Sequence, residues 1–488
     1  MTIPTVGAIH ELPLQKDLPE GWVWKTMGEI SDVIGGGTPR TNVPEYFNDG
    51  DIPWITPADL SGYNNKYISH GSRFITETGL KNSSARLMPA GTVLFTSRAP
   101  IGYVAIAKNP VSTNQGFKSF VLKVGILPDY VYWYLKGNKN LAESNASGTT
   151  FLELSGTKAK QIPIPIAPLN QQKLIVAEIE KQFSRLDEAV TALKRIQANL
   201  QRYEASVLKA AVEGKLTEEW RRKNPDVESA TDLLKRIVVE RKKKWEADHP
   251  GKKYKEPAPP NTSNLPELPK GWVWTALSQI ATFQNGRSFP SKEYSSKGIK
   301  LLRPGNLYAD GSVKWNENNT RELPETWASK YPEYRVGGGE LIMNLTAQSL
   351  RDEFLGRTCI TGSGEHCLLN QRLARISPLP GIDVRFLLWV LKSKRFRNFV
   401  DTLNTGSLIQ HMFTSDLTQF NFPLPPTDEQ QEIVEASDNL LSVAEEIEKA
   451  VETTIKRAER LRQSILKKAF TGRLVQSFGE KQKRDMHG

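Results

Sequence analysis

The chain carries the same phrases twice. Leu18-Pro19-Glu20-Gly21-Trp22-Val23-Trp24 returns as Leu268-Pro269-Lys270-Gly271-Trp272-Val273-Trp274, 250 residues later. Ser206-Val207-Leu208-Lys209-Ala210-Ala211-Val212-Glu213-Gly214-Lys215-Leu216 returns as Ser464-Ile465-Leu466-Lys467-Lys468-Ala469-Phe470-Thr471-Gly472-Arg473-Leu474, at an offset of 258. The chain is therefore two copies of one unit, each a globular domain followed by a long helix. Such a duplication permits internal pseudo-two-fold symmetry, the single-chain counterpart of a homodimer. It suits a molecule that must engage something two-sided.

The pattern divides the chain into a leader (1–17), a first globular domain (18–167), a central long helix (168–216), a basic helical segment with a linker (217–267), a second globular domain (268–425), a distal long helix (426–475) and a tail (476–488). Each domain is long enough to bury its own core. Within 18–167, β-rich runs such as Val93–Thr96 and Tyr103–Ile106 flank a turn, Tyr130–Leu135 reads as helix, and Ile162-Pro163-Ile164-Pro165 must be extended because proline bars a helix interior. The fold class is α+β. Between shared anchors such as Asn114-Gln115 and Asn370-Gln371 the two domains differ strongly.

The helices read as rods. Gln182, Leu186, Ala189, Leu193, Ile196, Leu200, Tyr203 and Val207 alternate steps of four and three, the a/d period of a coiled coil. Leu440, Ala444, Ile447, Val451, Thr454, Ala458, Leu461 and Ile465 do the same. Gly214 and Gly472 stop them. The interface positions are therefore expected at Leu186, Leu193, Ile196, Leu200, Val207, Leu440, Ile447, Val451, Leu461 and Ile465. About 43 residues at ~1.5 Å each make a rod of roughly 60 Å. The stripes either pack on each other or each pack on their own globular domain; three or more uninterrupted heptads favour the first.

Enzyme signatures are missing. There is no phosphate-binding Gly-x-x-x-x-Gly-Lys-Ser/Thr, no Gly-x-Gly-x-x-Gly after a strand and no Gly-x-Ser-x-Gly. Gly35-Gly36-Gly37 and Gly337-Gly338-Gly339 read as turns. The six histidines are scattered, and the two cysteines, Cys359 and Cys367, make neither a disulfide framework nor a zinc site. No catalytic and no metal-ligating residue is assigned. The start lacks a signal-peptide pattern and the longest apolar stretch, near Phe386–Leu391, is too short to span a bilayer, so a cytoplasmic location without membrane contact is expected.

What remains is binding. The net charge of +11 favours a polyanion, and it is local: 221–256 holds 12 Lys/Arg against 7 Asp/Glu, and 268–425 holds 19 against 13. Polar and basic residues fall in turns between strands, at Thr38, Arg40, Asn42, Ser97 and Arg98 in the first domain and Arg287, Ser288, Lys292, Gln348 and Arg351 in the second. Arg and Lys can pair with guanine edges or grip phosphates. Trp22, Trp24, Trp272 and Trp274 read as packing residues, and the run Arg241–Lys244 as a solvated face or a contact for DNA phosphate or an acidic partner.

The ordered set of motifs resembles the specificity subunit of Type I restriction-modification enzymes over nearly the whole chain. Its carriers are the twin Leu-Pro-x-Gly-Trp openings, Ile-Pro-Ile-Pro-x-x-Pro-Leu-Asn-Gln-Gln at 162–172, Phe-Pro-Leu-Pro-Pro-Thr-Asp-Glu-Gln-Gln at 422–431, and the paired stretches 206–221 and 464–474. The resemblance implies two target-recognition domains, each reading half of a split site in double-stranded DNA, held by two long helices paired as an antiparallel coiled coil. It implies a subunit without catalysis or cofactor of its own. Its partners would be two methyltransferase subunits using S-adenosylmethionine and two restriction/translocase subunits using ATP and Mg. Because recognition domains of this family vary so much, no DNA-contact residue carries over. The competing expectation is a coiled-coil adaptor that assembles partners without reading DNA.

Overall fold

The computed structural model describes residues 18–98, 100–144, 146, 152–263, 265–348, 353–403 and 410–474. The expected leader and tail lie outside them. The chain forms two compact units, one of residues 1–194 with 452–488 and one of residues 195–451. Each unit contains one globular domain and a part of both long helices, Leu169–Val212 and Thr427–Ala469.

In the first unit, the opening strand Val23–Thr26 pairs antiparallel with the closing strand Pro163–Ile166, Val23 facing Ile166. Proline is tolerated there because this ladder has only two strands and Pro163 and Pro165 need no further donor. A five-stranded sheet runs in the order Ser31–Gly35, Lys118–Leu122, Val93–Phe95, Val104–Ala107, Tyr67–Ile68. A three-stranded sheet places Ile52–Ile55 between Arg73–Ile75 and Ser112–Thr113. The helix Pro128–Gly137 packs its tyrosines beneath, and the hydroxyl of Tyr130 donates to Pro165 O at 2.7 Å. The core joins Phe95, Phe120 and Tyr130 to Ile175, Ile179 and Phe183 of the central helix and to Ile465, Ala469 and Phe470 of the distal one. Lys66, held between the carboxylates of Asp129 and Glu180, fastens the domain to the central helix.

The second unit keeps the ribbon and the two-sheet plan on different residues, with the strands divided four and four instead of five and three. Val273–Ala276 pairs antiparallel with Asn421–Leu424. One four-stranded sheet runs Ala281–Asn285, Leu373–Pro378, Leu341–Asn344, Thr358–Ile360, and another runs Glu322–Leu323, Ile299–Leu302, Cys367–Leu369, Arg335–Val336. The basic segment contributes the helix Ala230–Asp248, capped by Ser229, which sinks Leu233 and Ile237 into the core and leaves Lys242, Lys243 and Lys244 exposed.

The phrases that repeat in the sequence meet in space within each unit. Gly214, past the end of the central helix, has φ +70°, and a Cβ there would sit 2.8 Å from the Trp272 ring and 3.1 Å from Pro269. Gly472, past the distal helix, has φ +73°, and its Cβ would lie 2.0 Å from Pro19. Only glycine satisfies both the left-handed backbone and the close approach. The Gln-Gln motifs are clamps as well. The buried Gln172 donates to Ala167 O at 2.8 Å and accepts from Leu127 N at 2.9 Å. Gln430 likewise donates to Pro425 O at 3.2 Å and accepts from Asp383 N at 2.8 Å, so each fixes the turn that starts a domain helix.

Along the helices the covered stripe steps by three and four, as the heptad reading requires, but alternate positions fall one residue later than the sequence suggested. In the first unit it comprises Phe183, Leu186, Val190 and Leu193 of the central helix and Ile455, Ala458, Arg462 and Ile465 of the distal one; in the second, Gln197, Leu200, Glu204 and Val207 of the central helix and Leu441, Ala444, Glu448 and Val451 of the distal one. Ile196, Leu440, Ile447 and Leu461, read as interface, are 42%, 36%, 42% and 45% exposed. The displaced positions include Gln197, Glu204, Glu448 and Arg462, and a hydrophobic count prefers their apolar neighbours. Arg462 is nonetheless satisfied: it pairs with Asp187 and stacks 5.1 Å over the Phe183 ring. In the second unit Glu204 interacts with Glu448 and Glu445, while further on Thr217 and Arg221 reach Glu429 at the start of the distal helix, so the helix segments run antiparallel. The distal helix begins at Thr427, directly after Pro426, with Asp428 in its first turn.

Candidate nucleic-acid interface

Each domain builds the same small frame where its first sheet strand ends. In the first, Gly36 N donates to Phe117 O at 3.3 Å and Gly37 N to Thr113 O at 2.9 Å, laying the end of Ser31–Gly35 against the Asn114-Gln115 turn. That turn is pinned by Asn114 N donating to Ile55 O at 3.0 Å, with Asn114 Oδ1 accepting from Gly116 N at 2.9 Å. In the second, Gly286 N donates to Leu373 O at 2.9 Å, Arg287 N to Leu369 O at 3.0 Å and Asn370 N to Leu302 O at 3.1 Å, and Asn370 Oδ1 accepts from Arg372 N at 3.1 Å. A Cβ on Gly36 would lie 1.8 Å from Asn114 O, and one on Gly286 2.1 Å from Asn370 O. These turns are closed by backbone contact, which explains Gly35-Gly36-Gly37 without a phosphate. A second loop joins each frame, through Ser97 N to Gly116 O at 2.7 Å and Leu345 N to Arg372 O at 2.9 Å.

The frame gathers some of the predicted residues and not others. Thr38 is exposed and donates its hydroxyl to Gln115 Oε1. Arg98 is exposed and pairs with Glu153 at 3.0 Å, with Lys118 3.9 Å from the same carboxylate. Burial pulls the Lys118 ammonium below its ordinary value and Arg98 adds to that, while Glu153 opposes it. Ser97 is a correction. Its side chain is fully buried and its backbone is tied to Gly116 and Leu154, so it continues the sheet and cannot touch a groove. Arg40 and Asn42 are exposed further along the loop, where Arg40 O accepts from Val43 N. In the second domain Arg287 and Ser288 lie on the frame, Lys292 is exposed in the turn Ser291–Glu293, and Gln348 is exposed after the short strand Thr346–Ala347. Arg351 lies outside the described residues.

Sequence reasoning missed several neighbours. Gln115 and Gln371 were visible as shared anchors but not as parts of a site. Arg73 arrives from another strand, opposite Trp54 in the ladder, and no local signal marks it. Tyr331 and Lys330 come from the helix Thr326–Lys330 and its end. Of the repeated tryptophans, Trp22 and Trp272 are buried, donating to Gln171 at 2.7 Å and Glu429 at 2.8 Å, whereas Trp24 is 37% exposed and does not belong to the core. Among the described residues no group of three His, Cys, Asp or Glu could hold a metal ion, and no helix is long and apolar enough to cross a membrane.

Two copies of one frame, with unlike side chains around each, define a duplicated recognition protein. The family description "Type I restriction modification DNA specificity domain" matches residues 19–202 and 269–457, and the chain belongs to that family. It is 36% identical over 288 residues to the Type I restriction enzyme MjaIX specificity subunit of Methanocaldococcus jannaschii, covering 58% of this chain and 57% of that protein, so the aligned stretch spans little more than half of the relative. It is 24% identical over 465 residues to the Type I restriction enzyme EcoDI specificity subunit of Escherichia coli, covering 93% of this chain and 89% of that one. The fold is shared with a chain from a solved structure of a type I R-M system described for its complex assembly and conformational transition, at TM-score 0.63 and 19% identity, over 94% of this chain and all of that one.

Proposed function

We propose that this chain is the DNA sequence-specificity subunit of a Type I restriction-modification complex. Each domain reads one half of a bipartite site in double-stranded DNA, and the site is asymmetric because the two sets of loops differ. The paired helices hold the spacing and dock two methyltransferase subunits, and two restriction/translocase subunits complete the assembly, in the cytoplasm. The chain itself contributes no catalysis. S-adenosylmethionine, ATP and Mg belong to the partners, and the adenine to be methylated would be flipped into the methyltransferase pocket. The observation that carries this reading is the repeated frame with divergent exposed side chains at each sheet end. A scaffold that merely assembled partners would have no use for unlike polar side chains set around a repeated frame.

Replacing residues 18–167 by the first domain of another family member, then mapping methylated adenines in the host genome, tests the reading. One half of the recognised sequence should change and the other stay. A change in both halves, or in neither, defeats it, and the second result would favour the adaptor.

A further inference from the structure

Both domains hold an arginine over an aromatic ring near the shared Asn-Gln turn. In the second domain the backbone of Arg287 is fixed from two sides, its N donating to Leu369 O at 3.0 Å and its O accepting from Gln371 N at 2.8 Å. Its guanidinium carbon lies 3.7 Å from the centroid of the Tyr331 ring. Its Nε is buried without a hydrogen-bond partner. Among the described residues the guanidinium has no carboxylate and no acceptor.

The first domain reaches a like arrangement by a different route. In its frame Gly37 occupies the place of Arg287, donating to Thr113 O as Arg287 does to Leu369 O. The buried Trp54 donates its Nε1 to Gly37 O at 2.9 Å. Arg73, exposed and opposite Trp54 in the ladder, lies 5.3 Å over the Trp54 ring and 4.7 Å over that of Phe47. It too has no acidic partner or acceptor among the described residues.

Stacking occupies the π face of a guanidinium and leaves its in-plane N–H fork free. Holding the group on a ring also removes rotamer freedom before any ligand arrives. A phosphate needs only positive charge, which the exposed Lys330, 5.4 Å over the same Tyr331 ring, can supply. A planar fork held on a ring, without internal acceptors, matches two acceptors in one plane. We propose that Arg287 and Arg73 are specificity-determining residues, each donating paired hydrogen bonds to O6 and N7 of a guanine in its own half-site. The inference rests on the domains being DNA readers.

The test uses the full chain with its methyltransferase partner and a pool of randomised duplex DNA, from which bound molecules are sequenced. The parent should select two blocks, each containing a guanine. Arg287→Lys keeps the charge and loses the fork. It should reduce discrimination at one guanine of one block by roughly 5- to 150-fold, with the other block unchanged. Tyr331→Leu should produce a smaller loss at the same position, and Arg73→Lys should act on the other block. Each arginine stands or falls on its own block. If a lysine variant keeps every base preference, or weakens all sequences alike, the contact is to phosphate and the inference is wrong. If the parent selects no two-block site, the reading of the domains as DNA readers fails instead, before the arginines are at issue.

Discussion

The most exacting prediction concerns the buried carboxylate of Glu429. Its Oε1 accepts from Thr217 Oγ1 at 2.7 Å and from Arg221 Nη2 and Nε at 2.7 and 3.0 Å, and its Oε2 accepts from Trp272 Nε1 at 2.8 Å. The side chain is wholly inaccessible and that of Arg221 is 17% exposed. Arg221→Met keeps the apolar stem and removes the only cation paired with this carboxylate among the described residues. Two neutral donors remain, which cannot compensate a charge in a low-dielectric site, so the expected cost is about 3–5 kcal/mol. For a unit of this size that corresponds to a fall of about 6–20 °C in melting temperature. Adding Glu429→Gln should recover most of the loss, because an amide still accepts from the indole. Gln171 already does so for Trp22 in the first unit. Calorimetry of the full chain with both single variants and the double completes a mutant cycle. A cost below about 1 kcal/mol for Arg221→Met, or a double variant as unstable as the single, would refute the argument.

Three further outcomes follow from the same packing. Val451→Asp puts a charge into the covered stripe and should cost several kcal/mol (about 3 or more), whereas Ile196→Asp, on the outer face, should cost under about 1 kcal/mol; urea midpoints decide, and equal effects would mean the stripe is misplaced. The Glu204 carboxyl is held above its ordinary value by burial and by Glu448 and Glu445, with Lys392 opposing. The folded state therefore binds that proton more tightly, and its contribution to stability is greatest in acid and is lost as pH rises through the folded value. Glu204→Gln should accordingly stabilise more at pH 8 than at pH 5, and an equal gain at both would count against the contact. Burial pushes the Cys359 thiol up to about 12 and raises Cys367 as well. Neither should react with an alkylating reagent at pH 8 until the chain is denatured, as mass spectrometry would show.

The large plan of the molecule was legible because it is written in long, repeated, strongly periodic segments. The opening motifs, the helix ends and the Gln-Gln pairs stood out as shared phrases, and the structure gives each a contact that restricts its identity. The register of the stripe was only half legible. A pattern of apolar residues cannot locate Glu204 or Arg462, whose place depends on what they meet across the helix pair. The site was least legible. Ser97 and Arg98 are adjacent in sequence, yet one is buried and the other exposed because the chain there is extended and successive side chains point to opposite faces. Arg73 joins Trp54 only through a ladder, and Arg287 meets Tyr331 from 44 residues away.

Each domain starts and finishes on one two-stranded ribbon, Val23–Thr26 against Pro163–Ile166 and Val273–Ala276 against Asn421–Leu424. The sequences common to both copies flank those ribbons. Homologous recombination needs matching stretches at its crossover points, and here they coincide with the places where the chain leaves and rejoins the helical frame. A genetic exchange between two such genes would replace everything between the ribbon's ends and leave in place the repeated sequences that pack on the helix ends. The ribbon makes exchange modular, since a different domain can be installed in one event without re-evolving the helices that carry it.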